Sequence, residues 1–160
     1  MSVSDIFVRL IADALVVPIV LVGAIAMLRL PASTRVMYIA RGVFTGLLAL
    51  LFASIASLLF QDGQRPFEQL GVSAGAAYLN NPGFPSDHAL LVFVITFVVW
   101  ASTRNKRLAV ALLVMSCAVA FGRVVALVHT PADVLGGLAC ALLAAVLVYG
   151  KSFYSLKTKK

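Results

Sequence analysis

The feature that most constrains this chain is a succession of apolar runs, at residues 6–30, 36–60, 89–103, 108–128 and 131–150. A helix needs roughly 20 mostly apolar residues to cross a bilayer, and only helices or closed barrels satisfy their own backbone there. Composition agrees. Charged residues make up 12% of the chain, against roughly 25% in a soluble domain, and the mean hydropathy is +1.04. With so little polar surface the chain has no means of covering itself in water. The expected fold is all-α and integral to the membrane, a bundle of five transmembrane helices in a single domain covering residues 1–160.

The runs differ in detail. The first carries Arg9 and Asp13 near its start and Pro18 inside, where a kink is expected. It also has the look of a secretory leader, with Ala24-Ile25-Ala26 resembling a cleavage site. Its start sets only Arg9 against Asp5 and Asp13, however, and Arg29 and Arg35 follow like a stop-transfer flank, so a retained helix is expected. The third run is short, but Pro85-Ser86-Asp87 supplies a cap that lengthens it by a turn. Gly136, Gly137 and Ala139 are expected to let the last helix pack closely. Cys117 and Cys140 lie inside apolar runs at a spacing that fits no zinc or redox motif, and read as small packing residues.

The net charge is +7. No basic face with interleaved aromatics appears, so nucleic acid is not an expected partner; the basic residues cluster at the ends of apolar runs, where lipid headgroups lie. Five spans put the N-terminus, the 61–88 loop and the 128–130 link on one side. Of the thirteen Lys and Arg residues, Arg9, Arg65 and Arg123 lie toward that side. The others, Arg29, Arg35, Arg41, Arg104, Lys106, Arg107, Lys151, Lys157, Lys159 and Lys160, lie toward the opposite one, which is therefore expected to be cytoplasmic. The tail from Lys157 to Lys160 reads as an anchor on anionic lipid. The long loop then faces outward from a multi-pass protein of the cytoplasmic membrane.

That loop, QDGQRPFEQLGVSAGAAYLNNPGFPSDH, is polar and rich in Gly and Pro, while every other link is short. Long loops in compact domains are usually functional or disordered. A sixth, short helix at 66–79 is one reading of its middle. Chemistry stands at both its ends and beyond: Arg65-Pro66, then Pro85-Ser86-Asp87-His88, then Arg123, His129 and Asp133, all gathered by the topology at one membrane face. Both histidines of the protein belong to this set.

Two arginines and a helix N-terminus suit a polyanion, because guanidinium forks match phosphate oxygens and free N–H groups point at the ligand. Arg123 stands inside an apolar run, where a lone charge is costly and marks a functional position. His129 and Asp133 are four apart; with Thr130 as N-cap and Pro131 at the first helical position, Asp133 sits in the first turn, where its carboxylate can fold back to the imidazole and fix its tautomer. Together these groups form the equipment for phosphoryl transfer with neither metal nor cofactor. His129 attacks phosphorus, His88 protonates the leaving oxygen, and Arg65, Arg123 and the backbone near Ser86 hold the remaining oxygens. Each residue also has a plainer reading: His88 and Ser86 as helix caps, Asp133 as a first-turn acid, Arg123 as a cation reaching headgroups.

Pro85-Ser86-Asp87-His88 and Arg123-x5-His129-x3-Asp133 resemble the second and third signatures of the type 2 phosphatidic acid phosphatase superfamily, and Arg65-Pro66 resembles the end of its first. The resemblance implies a membrane bundle that dephosphorylates a lipid, with His129 as nucleophile, Asp133 as its partner and His88 as acid. Arg65, Ser86 and Arg123 become phosphate ligands; Asp87 is grouped with them, its alternative being to shape the helix entry. Three positions depart from the family pattern. Leu58 stands where a lysine opens the first signature, with Gln61 and Gln64 as substitutes nearby. Asp87 replaces glycine, and Gly122 replaces the serine before Arg123. The aspartate, preceded by Phe84, is similar to the bacitracin-resistance group of undecaprenyl-pyrophosphate phosphatases, which regenerate the lipid carrier of cell-wall synthesis. That likeness implies a lipid pyrophosphate substrate. A monophosphatase for phosphatidic acid, phosphatidylglycerophosphate or a prenyl phosphate is the alternative within the same chemistry, and a non-catalytic lipid-binding or transport protein, suggested by Leu58, is the alternative outside it.

Overall fold

The computed structural model describes residues 3–60, 64–79, 81 and 83–154. Those residues form helices and no strand. The first span, Val3–Leu28, comprises α1 (Val3–Arg9), a π-helical segment (Leu10–Ala14) and α2 (Val16–Leu28). Then come α3 (Ala32–Leu59), the single turn α4 (Pro66–Gln69), α5 (Asp87–Thr103), α6 (Lys106–Val125) and α7 (Pro131–Tyr154). Four of the apolar helices are long enough to cross a bilayer, and α5, with 17 residues, is the shorter fifth. The chain is thus an all-α, multi-pass membrane protein. The C-terminal anchor expected at Lys157–Lys160 lies outside the described residues.

The short helix is the central one. α5 packs against α2, α3, α6 and α7, and most of its residues are buried, with Leu91 and Trp100 exposed. A helix surrounded by protein need not match the bilayer thickness, so its N-terminus can open into a pocket. Between helices in lipid there is no hydrophobic drive, and small residues that let backbones approach do most of the work. Gly23 fits this role, since a Cβ there would lie 2.6 Å from Ile95 Cγ2. Ala49, Ala141, Ala144 and Ala145 are fully buried at the same interfaces. Two hydroxyls that enter this core are paired: Thr96 Oγ1 and Ser116 Oγ are 2.9 Å apart, and both bond to Val92 O.

Gly136 and Gly137 bring α7 against the entry of α5. A Cβ on Gly137 would lie 2.7 Å from Ser86 O, and one on Gly136 2.5 Å from the Phe84 ring. Ala139 does not share this contact, being exposed toward lipid. Cys140 is a buried packing residue, but Cys117 is exposed, so only one cysteine fills the role expected of both.

Three further sequence expectations are corrected. The irregularity expected at Pro18 lies one turn earlier, in the π-helical segment, closed by Leu15 N–H bonding to Leu10 O at 2.9 Å. Pro18 has no N–H to offer Ala14 O and its ring crowds that carbonyl, so the widened turn ends where the proline needs room. The fourth run stops being helical at Val125 rather than at 128. Leu127 adopts a φ of 58°, which costs about 1–2 kcal/mol for a residue with a Cβ. Finally, 66–79 is not a helix beyond its first turn. Gly71 takes a φ of 64°, and the following backbone bonds outward instead, Gly75 N–H to Ala126 O at 3.0 Å.

Candidate active site

The link between α6 and α7 is where the site is built. Each of its five residues is tied down. Ala126 O accepts from Gly75 N–H and Leu127 O from Phe67 N–H, both at 3.0 Å. Val128 O accepts from Arg65 Nη1 at 2.7 Å. His129 N–H donates back to Arg123 O at 3.3 Å, and Thr130 N–H donates to Asp133 Oδ2 at 2.8 Å. A small apolar cluster of Ala12, Phe67, Ala76, Ala126 and Val128 supports the link from beneath. Fixing a loop by its own backbone groups is how a side chain is held within the narrow tolerance that chemistry needs.

Local sequence sets the start of α7. Thr130 Oγ1 accepts from Asp133 N–H at 3.2 Å while Asp133 Oδ2 accepts from Thr130 N–H, a reciprocal cap with Pro131 at the first helical position. The same Oδ2 lies 3.3 Å from His129 Nδ1. Both residues are buried, His129 at 5% and Asp133 at 3% exposure. With Asp133 on Nδ1, Nε2 is the imidazole nitrogen left for chemistry.

The entry to α5 lies alongside. Ser86 is fully buried and caps the helix, its Oγ accepting from Ala89 N–H at 3.5 Å, and its own N–H donates to Asp133 O at 2.9 Å. His88, the second residue of α5, shares a cavity of about 130 Å³ with His129, Arg65, Arg123 and Asp87. Ala77, Tyr78, Leu79 and Asn81 of the long loop close its remaining wall. Of the sequence-singled residues, these five line the cavity; Ser86 and Asp133 stand behind it.

The two guanidinium groups differ. Arg123 is 1% exposed, its Nη1 lies 2.7 Å from Asp13 Oδ1, and its buried Nε has no hydrogen-bond partner among the described residues. A cation at the cavity wall suits an incoming anion. Arg65 is more committed. Its Nη2 is shared by Leu79 O, Asn81 O and Asn81 Oδ1, and its guanidinium sits 5.4 Å over the Tyr78 ring. It therefore binds the loop into the cavity wall as well as facing the cavity. Asp87 Oδ2 accepts from Asn81 Nδ2 at 3.4 Å, which links the α5 entry to the same loop. Among the described residues, no group of three or more His, Cys, Asp or Glu side chains is arranged to hold a metal ion.

The family model described as the PAP2 superfamily matches residues 36–157. The chain belongs to that superfamily. Comparison with curated proteins and with solved structures found no match. As a PAP2 superfamily member the chain is a membrane-embedded phosphatase of lipid phosphates, and the matched stretch carries every site residue singled out from sequence. Two departures from the family pattern gain a physical setting. Leu58 is 74% exposed and does not line the cavity, so its side chain looks toward lipid. Gln64, offered as a substitute, is exposed and also off the cavity; Gln61 lies outside the described residues. Gly122 is a contact point, since a Cβ there would lie 2.9 Å from Ile11 Cγ2 and 3.0 Å from Ala12 N.

Sequence reasoning missed Asp13, Tyr78 and Asn81. The rule that flagged Arg123, a charge inside an apolar run, applies equally to Asp13. Tyr78 and Asn81 gave no comparable signal, because their contacts depend on how the loop folds.

Proposed function

We propose that this PAP2 superfamily phosphatase hydrolyses a polyprenyl pyrophosphate, undecaprenyl pyrophosphate being the favoured substrate, to the monophosphate through a phosphohistidine on His129. The observation that carries the reading is the sharing of one small cavity by His88, His129, Arg65 and Arg123. His129 Nε2 attacks the terminal phosphorus as the bridging P–O bond breaks, and His88 gives its proton to the leaving oxygen. Asp133 on Nδ1 stabilises the cation that forms. Water then attacks the phosphohistidine, passing a proton to His88, and releases inorganic phosphate. Arg123 and Arg65 hold the equatorial oxygens as charge builds. Ser86 and Asp87 set the helix entry, and the scheme uses no metal.

The basic links at Arg29, Arg35 and Arg104–Arg107 lie at the far end of the bundle from this cavity, which supports an active site outside the cytoplasmic membrane and a cytoplasmic C-terminus. A lipid carrier of cell-wall synthesis would be recycled on that side, and bacitracin resistance is a consequence consistent with it. One observation favours a monophosphate instead. The cavity, at about 130 Å³, is well below the roughly 300 Å³ of a small-molecule pocket, and Arg65 is already engaged by the loop.

The test is phosphate release by purified protein in detergent, comparing a prenyl pyrophosphate with phosphatidic acid and a prenyl monophosphate. Preference for the pyrophosphate, an acid-labile label on His129 and insensitivity to EDTA are expected. Undiminished turnover by His129→Ala would end the scheme.

A further inference from the structure

The first span contributes a carboxylate to the site from outside the stretch matched by the family model, which begins at residue 36. Asp13 lies on the π-helical segment. It does not line the cavity, but it touches three residues that do. Its Oδ1 is 2.7 Å from Arg123 Nη1 and 3.9 Å from His88 Nε2, and its Oδ2 accepts from Ala77 N–H at 2.9 Å. Asp13 is partly exposed, its side chain at 28%, while Arg123 is almost fully buried at 1%. The carboxylate is thus the outer member of the pair and the guanidinium the inner one.

Two backbone features make this contact. The widened turn of Leu10–Ala14 departs from the regular helical register and so redirects Asp13, a use to which π-helical turns are often put at functional sites. Gly122, directly before Arg123, lets that turn approach α6 more closely than any side chain would permit. Neither feature is needed to cross a membrane.

We propose that Asp13 is a positioning residue for phosphoryl transfer: through Nη1 it fixes the plane of the Arg123 guanidinium at the cavity wall, and it holds Ala77 and His88 around the same point. Of the guanidinium's edges, the one carrying Nη1 is occupied by Asp13, so the phosphate meets a cation already oriented. A carboxylate beside a phosphate also repels it. Its benefit therefore falls on turnover and not on binding.

The inference rests on the phosphatase reading above, and the experiment separates the two. In phosphate release from a short-chain prenyl pyrophosphate, Asp13→Ala is expected to lower kcat by about 10- to 100-fold, the scale of an ångström-level misplacement, with KM unchanged or lower. Asp13→Asn, near-isosteric, should fall between, and Asp13→Glu should recover part of the loss. In an Arg123→Lys background, Asp13→Ala should cost under about threefold, because residues acting as a unit are non-additive. Gly122→Ala perturbs the same contact from the α6 side and should reproduce the kcat loss; it stands in if the Asp13 variants fail to fold. Wild-type kcat in folded Asp13→Asn, Asp13→Ala or Gly122→Ala protein, or additive losses in the cycle, would overturn the assignment while leaving His129→Ala inactive. An active His129→Ala would instead bring down the underlying reading.

Discussion

His129 Nδ1 lies 3.3 Å from Asp133 Oδ2, and the same oxygen accepts the Thr130 N–H at 2.8 Å. One carboxylate oxygen therefore starts α7 and orients the imidazole. Asp133→Asn keeps an acceptor for the cap but removes the charge that selects the tautomer. Its kcat is expected to fall roughly 10³- to 10⁴-fold, by analogy with the serine-protease triad, while the helix cap loses only about 1 kcal/mol. Steady-state kinetics and a thermal melt in detergent, run together, check the split; equal loss of both would mean the role is only structural.

The two histidines need opposite protonation states, neutral for the nucleophile and cationic for the acid. The rate should therefore fail at high pH, where His88 has lost the proton it must donate. His88→Ala should abolish the alkaline limb and lose about 10²- to 10⁴-fold with an alkyl leaving group, but far less with a nitrophenyl phosphate, whose leaving oxygen needs no proton. Equal losses on both substrates would remove His88 from the acid role.

Gly137 faces Ser86 O so closely that a Cβ would sit at 2.7 Å. Gly137→Ala is expected to destabilise the bundle by about 1–3 kcal/mol and to reduce activity, since it pushes α7 off the α5 entry. Gly46, with nothing within 4 Å of a built Cβ, is the control: Gly46→Ala should be neutral or gain up to about 1 kcal/mol. Comparing the two unfolding midpoints tests the contact.

Leu58 looks toward lipid, so restoring the family lysine there should do little. Leu58→Lys is expected to leave kcat/KM within about twofold, because a long cationic side chain at that position runs to the headgroups. A tenfold gain in a phosphate-release assay would show that position 58 reaches the substrate after all.

Asn105 caps α6 in the basic link, its Oδ1 accepting from Leu108 N–H at 3.1 Å. In a Cys117→Ala, Cys140→Ala background, a cysteine placed by Ala32→Cys beside Arg29 and Arg35 should react with an impermeant thiol reagent only once the cytoplasmic side is opened. A cysteine at Gln64 should react from outside in intact cells. The reverse pattern would invert the orientation.

What the sequence determined by itself was what local chemistry decides. Apolar runs of sufficient length must be spanning helices, Ser86 and Thr130 are placed to cap, and Asp133, in the first turn after Thr130 and Pro131, can fold back to His129 four residues earlier. The family motifs add that Arg65 and Arg123 come to the same place. What only the tertiary structure decided was which face of each span turns inward. In water, hydrophobic periodicity marks the buried face; in a bilayer lipid and protein core are equally apolar, so Leu58 carries no such label, and the charge of Asp13 marks the position without saying which residue it meets. Helix contacts are set instead by where backbones can approach, at Gly122, Gly136 and Gly137. The Asp13–Arg123 pair, 110 residues apart in sequence, and the tie from Arg65 to the 79–81 loop follow from that approach and from no pattern along the chain.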